Sequence, residues 1–165
     1  LSELFTAPDR SLVIYQMMYG KKQTSPCPMC TAWLDSWNGV AHHLAQNIDV
    51  AVVVAADVPT LRAHARTRGW DKLRLLSAGE SSFKYDLGSE DAEGQQDSTI
   101  SVFTRDKDGT LRHFYSVHPR LSEDMDTRGI DEWNPIWNIL DMTPQGRGSW
   151  DASLDYGTKV QAACH

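Results

Sequence analysis

Cys27 and Cys30 stand three residues apart in the tetrad Cys27-Pro28-Met29-Cys30. Two thiols at that spacing on the first turn of a helix can close a disulfide. The outer one lies where unpaired backbone N–H groups point outward and favour negative charge. The thiolate is the reactive form of cysteine, so the pattern reads as dithiol redox chemistry, with Cys27 the attacking nucleophile and Cys30 the resolving thiol one turn inward. Pro28 and Met29 tune that pair without adding charge. Two other readings compete with it: structural thiols, or half of a metal site. A zinc site needs two further ligands. His42 and His43 sit roughly 18 to 20 Å beyond Cys30 on an unbroken helix rising about 1.5 Å per residue, so they are expected to close the helix or face solvent. His113 and His118 approach the tetrad only through tertiary folding. No metal or other cofactor is expected.

The elements that must position this tetrad are legible in the apolar spacing. Leu12 to Tyr19 is rich in β-formers and stops at Gly20, which predicts a buried strand. From Pro28 to Gln46, Trp33, Trp37, Val40, Ala41 and Leu44 recur at three- and four-residue steps and predict an amphipathic helix, with Pro28 suited to its first turn. Ile48 to Ala56 is almost all Val and Ala, as in a strand buried on both faces. Asp57-Val58-Pro59 restarts the chain as a helix over Thr60 to Arg68, capped by Gly69, with a comb of Arg62, His64, Arg66 and Arg68 read as a solvated face. Leu73 to Leu76 is a third strand, and Ser77 to Asp97 a loop with local order around Phe83 to Leu87. Thr99 to Thr104 and Thr110 to Val117 flank a turn ending in Gly109 and form a hairpin. Glu132 to Met142 closes the pattern as a helix with Pro135 in its first turn. Parallel strands joined through helices, then a hairpin and a last helix, make a three-layer α/β/α sandwich with a mixed central sheet. One domain over residues 1–165 is expected, with its core at roughly 10–142 and an irregular tail over 143–165.

With the strand, the tetrad, the long helix, the Val/Ala strand and the hairpin in this order, the chain resembles the thioredoxin-like superfamily. More narrowly, the tetrad followed by Trp33, together with Tyr115-Ser116 and Leu140-Asp141-Met142-Thr143-Pro144-Gln145-Gly146-Arg147, resembles an uncharacterised bacterial family of predicted dithiol-disulfide oxidoreductases. That resemblance implies a thiol-disulfide oxidoreductase acting on a disulfide-containing protein or a small thiol or disulfide, with a separate reductant. Two departures stand out. Thioredoxins carry a cis-proline opposite the cysteines, whereas the corresponding stretch here is Asp97-Ser98-Thr99-Ile100. Peroxiredoxins share the fold and use a Pro-x-x-x-Thr-x-x-Cys loop and an arginine. Here Thr24 precedes Cys27 at that spacing, but Gly20 takes the proline position and Ile100 falls near the arginine's place. A peroxiredoxin-like thiol peroxidase, or a non-catalytic metal-binding or redox-sensing module, are the rival functions.

Four tryptophans, Trp33, Trp37, Trp133 and Trp137, stand in pairs at helical spacing and read as core, although Trp33 could also shape a pocket beside Cys27. Tyr115 could bring a hydroxyl to the thiolate or simply pack. Cys164 and His165 end the chain in a region expected to fray. Of 165 residues, 22 are acidic and 16 basic, giving a net charge of −6, which argues against nucleic acid and against a polybasic membrane patch. No apolar run approaches the roughly 20 residues of a membrane span. Two of the three cysteines share one tetrad, unlike a secreted disulfide framework, so a cytoplasmic location is expected. Leu1 does not begin like a translation product, which leaves a periplasmic or secreted location open.

Overall fold

The computed structural model describes residues 1–119 and 133–156. Its elements are β1 (Leu12–Gln16), α1 (Pro28–Leu44), β2 (Asp49–Val54), α2 (Val58–Arg68), β3 (Leu75–Ser77), α3 (Phe83–Asp86), β4 (Thr99–Arg105), β5 (Leu111–Val117) and α4 (Pro135–Asp141). The five strands form one sheet in the order β3-β2-β1-β4-β5. β1, β2 and β3 run parallel, while β4 pairs antiparallel with β1 and with β5. This is the expected mixed sheet with a closing hairpin, and Gly109 turns the hairpin with φ +88°.

Burial explains why β1 and β2 read as continuous apolar runs. All five residues of β1 are buried, and five of the six in β2. On one face Tyr15, Met17, Val52 and Val54 meet Cys30, Trp33, Leu34 and Trp37 of α1 and Leu61 and Ala65 of α2. On the other, Leu12, Ile14, Ala51 and Val53 meet Phe5 and Phe103, with Phe83 and Leu87 alongside. The second outer layer is therefore thin, built from the N-terminal segment and the short α3.

Several boundaries shift. β1 ends at Gln16 rather than Tyr19. Past it the Tyr19 carbonyl accepts both Ala55 and Ala56 amides at 2.9 Å, and Gly20 turns the chain with its amide on the Gln23 carbonyl at 2.7 Å. α2 begins at Val58 because Asp57 caps it, its Oδ1 accepting the Thr60 amide at 2.7 Å. β3 is Leu75–Ser77, starting two residues and ending one residue later than the expected Leu73 to Leu76. The arginine comb is not uniformly solvated. Arg68 pairs with Asp35 of α1, Trp70 Nε1 donates to Asp35 Oδ1 at 2.8 Å, and His64 is half-buried. Trp33, Trp37 and Trp137 are buried, as core residues should be. Cys164 lies outside the described residues, as does Glu132 at the start of the last expected helix.

Candidate functional site

Cys27 is the N-cap of α1, with extended backbone (φ −62°, ψ 125°) and Pro28 directly after it. Its Sγ accepts the amide of Cys30 at 3.5 Å, and its own amide donates to the Met18 carbonyl at 3.1 Å. The Cys27 carbonyl begins the helix, taking the Thr31 amide at 3.0 Å and the Thr31 hydroxyl at 2.9 Å. Both sulfurs are thiols; Cys27 is partly exposed and Cys30 is only 1% exposed. The outer sulfur thus sits at the positively polarised end of a 17-residue helix, and the inner one a turn deeper.

A cavity of about 160 Å³ opens over the pair. Met18, Met29 and Trp33 give it apolar walls, while Asp97 and Ser98 face the sulfurs from the start of the hairpin and Pro119 closes one side. Asp97 and Ser98 hold the place where thioredoxins carry their proline, and no peptide bond among the described residues is cis. A larger apolar cavity of about 580 Å³ lies beside Trp37, Val40 and Trp133, but no cysteine, histidine or charged side chain lines it.

Burial pushes the Cys30 thiol well up from its ordinary value, and the neighbouring Cys27 pushes the same way, whereas the Tyr15 hydroxyl and the Met18 backbone oppose the rise. Tyr15 is buried against Trp33 and Trp37, with ring centroids 6.0 and 5.5 Å away. Its own ionisation is pushed well up, first by burial and then by Cys30. Behind the tetrad, His64 lies 3.4 Å from the Thr31 hydroxyl and packs edge-on to Tyr19 and Trp70. Burial and then Arg68 lower it, against the pull of Asp35.

The sequence candidates separate. Cys27, Cys30, Met29 and Trp33 meet at the cavity, and Pro28 starts the helix that holds them. Thr24 is exposed in the turn before Pro26 and does not line the cavity. Tyr115 is 48% exposed on β5 opposite Val102, also away from the cavity. Ile100 is core. His42 and His43 are exposed at the end of α1. His113 stacks on Phe103, and His118 sits 3.0 Å from the Thr99 hydroxyl and 3.8 Å from Asp97. Among the described residues no three His, Cys, Asp or Glu gather closely enough to hold a metal ion. Nor is any helix among them long and apolar enough to cross a membrane.

Beside the sulfurs, Tyr15 and the pair Asp97 and Ser98 escaped the sequence reading as site residues, and so did the burial of Lys84. Tyr15 was one β-former among several in a strand. Ser98 was visible only as the absence of a proline. Lys84, 1% exposed, sits in a polar stretch whose pattern says nothing of burial.

Sheet order, helix placement and a dithiol capping the first long helix define a protein of thioredoxin-like α/β fold. The chain belongs to the family described as "Bacterial protein of unknown function (DUF899)", which it matches over residues 1–161. None of the curated proteins matches it. Among solved structures it is similar to reduced Prx3 from Vibrio vulnificus, with TM-score 0.56 and 18% identity over 80% of this chain and 83% of that one. It is also similar to Xanthomonas campestris Peroxiredoxin Q (Structure F4), with TM-score 0.53 and 12% identity over 68% and 70% of the two chains. At such identities the likeness is one of fold.

Proposed function

We propose that the protein is a thiol-disulfide oxidoreductase working through Cys27 and Cys30. The observation that carries this reading is the pairing of a partly exposed Cys27 at the α1 N-terminus with a buried Cys30 whose amide it accepts, both opening on one cavity. Cys27 as thiolate attacks one sulfur of a substrate disulfide, forming a mixed disulfide and releasing the other substrate sulfur as a thiolate. Cys30 then gives up its proton and attacks Cys27 Sγ. The Cys27–Cys30 disulfide forms, the mixed disulfide breaks, and two electrons have passed to the substrate. An external dithiol reductant restores the pair. Reduction of insulin or of a small aromatic disulfide by the wild type and by Cys27→Ser tests this. At least a hundredfold loss is expected in the variant, and equal rates would end the reading.

The fold shared with peroxiredoxins favours a second reading, in which a hydroperoxide oxidises Cys27 to a sulfenic acid that Cys30 condenses with. Against it stand Gly20, which the backbone requires where a proline would be, and Thr24, which is exposed and does not line the cavity. Stopped-flow mixing with hydrogen peroxide decides between them: disulfide formation within seconds favours the peroxidase, and unchanged thiols favour the exchange enzyme. The natural substrate, a protein disulfide or a small one, and the cytoplasm as working compartment both belong to this proposal.

A further inference from the structure

Lys84 is buried to 1% exposure, and among the described residues no carboxylate forms an ion pair with it. Burying an ammonium group without a partner is unfavourable, so packing alone does not account for a lysine here. Its Nζ donates to the Met17 carbonyl at 3.3 Å. The next residue, Met18, accepts the Cys27 amide at 3.1 Å and lines the sulfur cavity. The lysine arrives from the opposite layer, where its neighbours Phe83 and Leu87 pack against Leu12 and Ile14. It is held there from the other side too. Its carbonyl accepts the Ser89 amide at 2.8 Å and the Ser89 hydroxyl at 3.1 Å, and the Ser89 carbonyl accepts the amide of Asp97, a wall of that same cavity, at 2.9 Å.

The charges facing Lys84 are Cys30, then Glu90 and Asp97, with Lys21 opposing. Glu90 is engaged by Lys21 and by Gln96, and Asp97 by its own contacts with Ser98 and His118. Cys30 is the one neighbour whose charge the redox cycle switches on and off. Burial lowers Lys84 to about 8, so both its forms are reachable near neutral pH.

We infer that Lys84 is the buried counter-charge of the Cys30 thiolate, a positioning residue for the second half of disulfide exchange. This rests on the dithiol reading above. When the Cys30 thiol ionises, its proton passes to the substrate thiolate released in the first step, and the ammonium of Lys84 holds the negative charge until Cys30 attacks Cys27. Once the disulfide has closed the counter-ion is gone, and Lys84 releases its proton more readily.

The experiment follows the two successive thiolate releases from 5,5′-dithiobis(2-nitrobenzoate), the first from attack by Cys27 and the second from resolution by Cys30. Lys84→Gln keeps a donor for the Met17 carbonyl but carries no charge. Its first phase is expected within threefold of wild type. Its second phase should be at least tenfold slower at pH 7, with a pH midpoint at least one unit higher. A second phase and midpoint matching wild type would overturn the inference. Lys84→Met provides the same comparison if the glutamine variant does not fold. In the wild type, Lys84 labelled with carbon-13 at Cε should titrate at lower pH in the disulfide form than in the dithiol form, and identical titrations would equally overturn it. Failure of the parent reading looks different: Cys27→Ser would leave disulfide reduction unchanged, whatever Lys84 does.

Discussion

Gly20 lies so close to Ala56 that a Cβ built on it would stand 2.0 Å from the Ala56 amide nitrogen, and its φ of +107° is one that only glycine adopts readily. This contact fixes how the chain leaves β1 and swings toward the dithiol. Gly20→Ala therefore combines backbone strain with a clash against main chain, which has no rotamer to yield. A loss of about 2 kcal/mol or more is expected, a fall in Tm of roughly 4 to 8 °C for a chain of this size. Thermal unfolding checks it, and a Tm within a degree of wild type would refute it. Proline at the same place would also remove the amide bonded to Gln23, so the peroxiredoxin-type loop cannot be restored by one substitution.

The unequal burial of the two sulfurs predicts an order of modification. In the folded, reduced protein iodoacetamide should label Cys27 at least ten times faster than Cys30, and unfolding in denaturant should erase the difference. Peptide mapping by mass spectrometry reads both sites. Equal labelling of the folded protein would mean that Cys30 is not sealed.

Tyr15 gives a prediction with two readouts. Its hydroxyl is buried toward Cys30 and Ser98 without a well-formed hydrogen bond among the described residues, so its desolvation is only partly compensated. Tyr15→Phe keeps the ring between Trp33 and Trp37 and is expected to be neutral, or stabilising by up to about 1 kcal/mol. The same hydroxyl pulls Cys30 back toward ionisation, so the second thiolate release should slow a few-fold at pH 7 while the first is unchanged.

Asp49 anchors the N-terminal segment. Burial raises its carboxyl, but the Thr6 amide and hydroxyl, both at 2.8 Å, and Arg10 outweigh that and hold it below the ordinary carboxylate value. A carboxyl lowered in the folded state stabilises above its unfolded value, and that stability is lost as the pH falls through the folded one. Asp49→Ala should cost about 2 kcal/mol at pH 7, with the gap to wild type narrowing below about pH 4. Urea unfolding at pH 7 and pH 3 checks it; a gap that does not change with pH would refute the assignment.

Much of this was legible in the residues themselves. Val and Ala runs gave β2, the Trp33/Trp37 spacing gave the core face of α1, and Asp106 to Gly109 gave the hairpin turn, because each is a local preference that the fold leaves intact. The tetrad was legible for the same reason: spacing along one helical turn is a local quantity. What surrounds the sulfurs was not. Tyr15 approaches them from a strand and Ser98 from the start of a hairpin, while Lys84 comes from the opposite layer to the Met17 carbonyl, and such meetings depend on sheet order. Tyr115 shows the converse, a plausible hydroxyl at the end of a run of β5, Arg112 to Tyr115, that is exposed throughout. Within the arginine comb, Arg62 and Arg66 obey helical periodicity, while Arg68 and His64 answer to Asp35 and the ring cluster instead.

Lys84 reaches the Met17 carbonyl from one side of the sheet, and Cys30 packs with Met17 from the other, just past the end of β1. Transplanting the four-residue motif, or even the whole β1–α1–β2 unit, into another scaffold would carry the sulfur atoms and leave their electrostatic environment behind. A sequence sharing the tetrad but lacking a basic residue in the short helix after β3 should accordingly have a different reduction potential, however alike the two motifs look.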